Sequence, residues 1–198
     1  MINKFIKFIN NKFSTFFKFV FFLRFLLLIF FVAGFLLLII PQFFDYKKKE
    51  LIVKNYLSQN YGLKIKTIDN ISFKSLPLPH LQIDNLTGNF IINESILKTQ
   101  KATIYPKLFS IYNYNNFQVR KVNLENNYLE IDFKNLKFFS QSFINLKKKI
   151  SVQNLSLKIK DLDKDIIKLK NMTYFNYGYK KNIIDGEVFN KNFEISLK

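Results

Sequence analysis

The stretch that decides the fold is residues 71–86, which read ISFKSLPLPHLQIDNL. Apolar and polar residues alternate at both ends of it, and a period of two places the apolar side chains of a strand on one face. The apolar members of the two runs are Ile71 and Phe73, then Leu81 and Ile83. Pro77 and Pro79 stand between the runs, and each proline fixes φ and lacks the N–H group that a sheet ladder needs. The stretch therefore predicts two neighbouring strands, separated by a corner, that share one apolar face.

The same alternation recurs on both sides of this stretch and is typical of antiparallel sheets with one solvated face. The other alternating apolar positions are Leu63, Ile65, Leu129, Ile131, Phe133, Leu155, Leu157, Ile159, Phe193, Ile195 and Leu197. We expect a further strand over residues 166–169, a short helical turn over 107–112, and turns at the asparagine-rich segments 113–116 and 126–127. We therefore predict a mainly β fold with an antiparallel sheet over residues 63–198. Its expected apolar face consists of Ile71, Phe73, Leu81, Ile83, Leu129, Ile131, Leu155, Leu157 and Ile159.

Before the first strand, residues 45–62 predict an amphipathic helix. Asp45 is a suitable N-cap, and Gly62 supplies the left-handed residue at which helices often end. The apolar positions at helical spacing are Tyr46, Ile52, Val53, Tyr56 and Leu57. Because this helix directly follows the most apolar part of the chain, we expect it near a membrane surface, covering one end of the sheet.

That most apolar part is residues 25–44, FLLLIFFVAGFLLLIIPQFF, twenty residues without a charge. A helix of this length spans roughly 30 Å, the thickness of a bilayer hydrocarbon core. The predicted anchor residues include Phe25, Leu28, Phe31, Phe35, Leu38 and Ile40. No small-residue cleavage site follows the apolar run, so we predict a retained transmembrane helix rather than a cleaved signal peptide.

Charges on either side of the anchor set its expected orientation. Residues 1–24 carry five basic residues and no acidic one, whereas acidic and basic residues are mixed after Phe44. The positive-inside rule therefore places the N-terminus in the cytoplasm. Four segments result: a basic tail over 1–24, a transmembrane helix over 25–44, a membrane-proximal helix over 45–62 and a sheet domain over 63–198.

The net charge of +17 does not by itself indicate nucleic-acid binding. Only Arg24 and Arg120 among the 31 basic residues are arginine, and arginine is the preferred reader of guanine and phosphate. Alanine is rare while Asn, Phe, Tyr and Lys are abundant, which is the signature of AT-rich codons. We attribute the lysine excess to nucleotide bias, the basic tail and the solvated faces of strands, and we expect no nucleic-acid partner.

Few residues in the chain could support catalysis or bind a metal. The chain has no cysteine and one histidine, His80, which excludes thiolate and multi-histidine sites. Asp161, Asp163 and Asp165 alternate, but they lack the glycine and the distal glutamate of an EF-hand loop, and we expect a solvated turn there. We expect no cofactor, no metal and no enzymatic activity.

The order of these segments resembles the N-terminal region of AsmA-like proteins of Gram-negative bacteria. The matching residues are Asp45, Tyr46 and Lys47 after the anchor, Gly62 before the first strand, Pro77 and Pro79 at the corner, and the stretches 102–109, 117–124 and 128–131. The resemblance covers residues 25–133 well and the remainder only in style.

The resemblance implies a protein of the bacterial inner membrane with a periplasmic domain that acts in outer-membrane biogenesis or lipid homeostasis. It also implies a curved, groove-like sheet whose apolar face binds phospholipid tails, with other envelope proteins as possible partners. Two alternatives stay open: the apolar residues could pack a closed core, and the protein could be an envelope scaffold or assembly factor without lipid.

Overall fold

The computed structural model describes residues 2–91, 95–107, 109–162, 164–178 and 181–197, with the backbone alone for residues 2–13, 17, 46, 114 and 197. The chain divides into two compact units, Met1–Ile40 and Pro41–Lys198. We describe each unit separately and refer to Pro41–Lys198 as the second unit.

The first unit is one long helix, α1 (Ile2–Ile39), which a short 3-10 turn over Ile40–Phe43 follows. The segment Ser14–Phe43 has a mean hydropathy of 2.9 and is long and apolar enough to cross a membrane. The α-helix begins well before the predicted residue 25 and ends before the predicted residue 44. Its early end has a local cause, because Pro41 lacks an N–H group and its ring clashes with the preceding helical turn. The predicted anchor residues Phe25, Leu28, Phe31, Phe35 and Ile40 are exposed, and Leu38 is half-exposed.

The predicted second helix is α2 (Tyr46–Tyr61). Gly62 ends it as expected: its φ is 62°, and its N–H group points to the carbonyls of Leu57 and Ser58. Asp45 occupies the N-cap position, but its side chain makes no capping hydrogen bond. The buried side chains of the helix include Ile52, Val53, Tyr56 and Leu57.

The remaining chain forms one eight-stranded sheet in which the strand order follows the chain order. The strands are β1 (Leu63–Lys74), β2 (His80–Phe90), β3 (Ile96–Pro106), β4 (Val119–Asp132), β5 (Ile150–Asp161), β6 (Lys164–Asn176), β7 (Asn182–Val188) and β8 (Lys191–Leu197). The prediction of a wholly antiparallel sheet is wrong at one pair, because β4 and β5 are parallel. A parallel pair needs a crossover, and the helix α3 (Leu136–Ile144) provides it. Helix α2 packs along β1 rather than at one end of the sheet.

Several local predictions also change. The turn predicted at residues 126–127 is wrong, because β4 runs unbroken over Val119–Asp132. Phe133 lies in a 3-10 turn and not in a strand. The expected helical turn over 107–112 is confirmed as a 3-10 turn over Ser110–Tyr112, and the turn at 113–116 as another over Tyr114–Asn116.

Four strands carry an asparagine with a left-handed backbone at one level of the sheet, which we call the asparagine level. These residues are Asn85 (φ 49°), Asn126 (φ 55°), Asn154 (φ 51°) and Asn171 (φ 50°). At this level a strand contains one residue more than regular alternation allows. Because both β4 and β5 contain such an extra residue, their pairing register is the same on both sides of the level. The extra residue allows Val152 and Leu155, three positions apart, both to be buried. The asparagine level therefore keeps the apolar face continuous along strands of 11 to 14 residues.

Asn154 provides a test of this local geometry. Its Nδ2 donates to Oδ1 of Asn126 at 2.7 Å. Asn154→Ala and Asn154→Gly both remove this hydrogen bond, but alanine also incurs the left-handed backbone cost of roughly 1–2 kcal/mol. We expect Asn154→Ala to lower the thermal midpoint of the sheet further than Asn154→Gly does, as measured by circular dichroism in detergent. Equal midpoints would show that φ at this position carries no strain.

Candidate functional site

A row of mostly apolar residues crosses all eight strands at one level of the sheet. Neighbouring members of the row are register partners: Ile71, Ile83, Ala102, Leu124, Val152, Tyr174, Ile184 and Ile195. The first six are buried, Ile184 is half-buried, and Ile195 is 47% exposed. The apolar surface therefore begins in the core and continues to the open edge of the sheet at β8.

Both helices of the second unit pack on this face. Helix α2 contributes Val53, Tyr56 and Leu57 to the core cluster. Helix α3 contributes Phe139 and Phe143, whose ring centroids lie 4.4 Å apart. Their rings also contact Phe90 at 5.3 and 5.8 Å, and Phe143 contacts Tyr174 at 5.3 Å. These aromatic contacts hold α3 over the middle of the sheet.

An apolar cavity of about 360 Å³ lies between the sheet, α2 and α3. Its walls come from α2 (Leu57, Tyr61), from α3 and its flanks (Leu136, Phe139, Ser140, Phe143, Ile144, Leu146), and from all eight strands of the sheet. Strands β4, β5 and β6 contribute most of the strand residues, whereas the other five strands contribute one each: Leu63, Phe90, Leu97, Ile184 and Ile195. The cavity meets the open part of the apolar face at Ile184 and Ile195, the last two members of the row.

The few polar side chains in the cavity wall are already engaged with backbone carbonyls. The Tyr61 hydroxyl donates to the carbonyl of Lys149 at 3.3 Å, and the Ser140 hydroxyl donates to that of Lys137 at 2.9 Å. The Tyr174 hydroxyl lies 2.9 Å from the carbonyl of Phe143 and can donate its proton there. The wall therefore has little hydrogen-bonding capacity left for a polar ligand, whereas hydrocarbon requires none.

Strands β6 and β7 hold the C-terminal end of α3 by hydrogen bonds to its last carbonyls. Asn176 Nδ2 donates to the carbonyl of Leu146 at 2.6 Å, and Asn182 Nδ2 donates to that of Ile144 at 3.5 Å. Together with the Tyr174 hydroxyl they place hydrogen-bond donors at carbonyls in the last turn of the helix and just beyond it, where intrahelical partners run out. Burial raises the pKa of Tyr174 to about 12, so this phenol remains a hydrogen-bond donor throughout the neutral range. Burial likewise raises the pKa of Tyr61.

The nine residues predicted for the apolar sheet face are all buried, but they do not form one site. Leu129, Leu155 and Leu157 line the cavity. The other six belong to the core cluster outside the cavity wall: Ile71, Phe73, Leu81, Ile83, Ile131 and Ile159. Three of the nine predicted positions thus line a cavity, and six belong to the core cluster outside its wall.

Of the residues on which the AsmA-like resemblance rests, Val122, Leu124 and Leu129 line the cavity, whereas Lys47, Gly62, Pro77 and Pro79 do not. Tyr46 and Lys47 begin α2, and Pro77 and Pro79 lie in the connection between β1 and β2. Sequence reasoning missed α3, which supplies much of the cavity wall. The signal was present: Leu136, Phe139 and Phe143 recur at helical spacing.

The polar residues considered for catalysis or metal binding are engaged elsewhere. His80 begins β2, and its Nδ1 lies 2.7 Å from the carbonyl of Leu78, to which it can donate. Asp161 ends β5, and Asp163 lies outside the described residues. Asp165 lies in β6, where Lys158 and Lys168 bind its carboxylate at 2.7 and 2.8 Å and hold its pKa down at about 2.

No known protein-family model and no curated protein matches this chain.

Proposed function

We propose that this chain is a membrane-anchored lipid-binding protein that holds an acyl chain of a phospholipid between α2, α3 and the sheet. The observation that carries the proposal is the cavity of about 360 Å³ with its apolar wall. An apolar cavity of roughly 150 Å³ is large enough to bind benzene. A cavity more than twice that size suits a longer hydrocarbon, and each buried methylene contributes about 0.8 kcal/mol.

Two other features of the chain also favour a lipid over a soluble apolar ligand. The same chain carries a segment, Ser14–Phe43, that is long enough to cross a membrane, so bilayer lipid is the most concentrated hydrocarbon within its reach. The apolar face continues past the cavity to Ile195 near the edge of the sheet. An acyl chain could therefore enter at β7 and β8 without crossing the solvated face.

The resemblance to AsmA-like proteins suggests the cellular setting. The protein would lie in the bacterial inner membrane with its N-terminus in the cytoplasm and its sheet in the periplasm. It would act there in outer-membrane biogenesis or lipid homeostasis, together with envelope proteins. In this setting it has no catalytic step, because it binds lipid without changing it.

Photocrosslinking tests the proposal on the full chain. The protein would be reconstituted into vesicles with a phospholipid that carries a photoreactive group in its acyl chain, and crosslinked peptides would be mapped by mass spectrometry. We expect crosslinks to cavity residues such as Phe139, Val152 and Ile184, in addition to those on the anchor. Crosslinks confined to residues 14–43 would contradict lipid binding in the cavity and favour the scaffold alternative.

A further inference from the structure

The two ends of the sheet differ sharply in charge. The strand registers place the connections over residues 75–79, 107–118, 145–149 and 177–181 at one end, where the chain also enters the second unit; we call this the entry end. The connections over residues 91–95, 133–135, 162–163 and 189–190 lie at the other end, which we call the far end. Among the connection residues that the structure describes, the entry end has five lysines and no acidic residue, whereas the far end has one lysine, Lys134, and no acidic residue.

The end of the membrane-spanning stretch is held at the entry end. Pro41 is fully buried, and Gln42 Nε2 donates to Oγ of Ser75 at 2.8 Å. The buried Lys49 extends its ammonium group to the carbonyl of Gln42 at 3.4 Å. The Phe44 ring meets the ring of Tyr112 edge-on at 5.8 Å. If Ser14–Phe43 crosses the membrane, the chain leaves the bilayer at a point that these contacts fix beside the entry-end connections.

The entry end also exposes large apolar side chains among its lysines. Leu76, Leu78 and Phe109 are 76%, 56% and 68% exposed. The ion pairs between described residues lie within α2, within β6 or between strands. None of them includes Lys74, which ends β1 beside the entry end, or the entry-end lysines Lys107, Lys147, Lys148 and Lys181. Exposed apolar side chains among lysines that form no ion pair are typical of a protein surface that contacts an anionic membrane.

We propose that the entry end is a second membrane-contact surface, which docks on an anionic phospholipid bilayer. Leu76, Leu78 and Phe109 enter the headgroup region, and Lys147, Lys148 and Lys181 bind lipid phosphates. The occupant is a bilayer surface and not the single acyl chain of the cavity, so this contact goes beyond the proposed function. It rests on the membrane-spanning segment and on charge complementarity, and it is independent of the cavity.

The absence of cysteine from the sequence permits a direct test with single labelling sites. The full chain would be reconstituted into vesicles that contain nitroxide-labelled phospholipid, with a fluorophore on Leu78→Cys or Phe109→Cys. The matched controls are Leu162→Cys and Phe189→Cys, which are exposed apolar positions at the far end, 91% and 82% exposed. We expect lipid quenching of the two entry-end labels and little quenching of the two far-end labels. Equal quenching at both ends, or none at the entry end, would overturn the proposal.

The charge requirement is tested in vesicles of phosphatidylcholine with and without phosphatidylglycerol. We expect quenching at Phe109→Cys to increase with the anionic lipid. A lysine near an anionic surface shifts docking roughly fivefold, so K147Q and K148Q together should weaken docking roughly 25-fold. The control is substitution by glutamine of Lys164 and Lys191, which begin β6 and β8 beside the far-end connections, and it should leave quenching unchanged. Quenching that is the same with and without phosphatidylglycerol would overturn the anionic-surface assignment. A variant that fills the cavity, Val152→Phe, should still dock, because docking does not depend on the cavity.

Discussion

Val152→Phe is expected to abolish crosslinking of lipid to the cavity while the sheet remains folded. Val152 lies in the middle of the apolar row, and its side chain lines the cavity. A phenyl ring there occupies space that an acyl chain would need. If the ring excludes three or four methylenes, about 3 kcal/mol of burial is lost, which is roughly a hundredfold in affinity. Crosslinks to the anchor serve as the internal reference and should not change.

Val53→Phe is the matched control. Val53 on α2 is fully buried but does not line the cavity, so the same substitution overpacks the closed part of the core. Overpacking costs typically about 1–3 kcal/mol, and we expect a lower thermal midpoint with cavity crosslinks retained. The two variants thus separate occupancy from stability. Loss of crosslinks in both variants, in proportion to lost stability, would contradict a specific role for the cavity.

Local sequence signals were sufficient for much of the fold. Gly62 marks the end of α2 because a left-handed residue is needed there, and the alternation of Leu81 and Ile83 follows from the geometry of one strand. These features depend on a few adjacent residues. The parallel pairing of β4 with β5 depends instead on where the chain returns after α3, which no local pattern specifies.

The turn predicted at residues 126–127 is wrong because asparagine suits both turns and left-handed positions inside strands. A repeated pattern distinguishes the two cases here. The triplet of asparagine, an apolar residue and serine or threonine begins at Asn70, Asn85, Asn154 and Asn171, all within strands. Three of these four asparagines have a positive φ at the asparagine level. Their recurrence at one level of the sheet has a structural explanation, which is the extra residue that each strand accommodates.

The cavity was harder to predict than the fold. Alternation identifies which side chains face inward, but it does not specify whether a helix covers them closely. Leu129 and Ile131 have the same pattern in the sequence, yet Leu129 lines the cavity and Ile131 does not. That difference arises from the placement of α3, nine residues whose phenylalanines suit strands as well as helices.

Phe143→Ala is expected to loosen α3 from the sheet. The Phe143 ring contacts the rings of Phe90, Phe139 and Tyr174, and each aromatic pair contributes about 0.5–1.5 kcal/mol beyond the area that it buries. Because Phe143 is only half-buried, we expect the variant to lose roughly 2–3 kcal/mol, less than a fully buried phenylalanine would. The backbone carbonyl that accepts from Tyr174 is retained, so the variant removes the ring alone.

Phe138→Ala is the control on the same helix, since Phe138 is 57% exposed. A surface truncation of this kind changes stability by about 0.5 kcal/mol or less. Hydrogen exchange of the amides in residues 136–146, measured by mass spectrometry on the full chain in detergent, should accelerate in Phe143→Ala and not in Phe138→Ala. Exchange in β1 should change less than in α3, because β1 packs against α2. If both variants behave alike, α3 is held by its hydrogen bonds to Asn176 and Asn182 rather than by its aromatic face, and the cavity cover does not depend on the ring cluster.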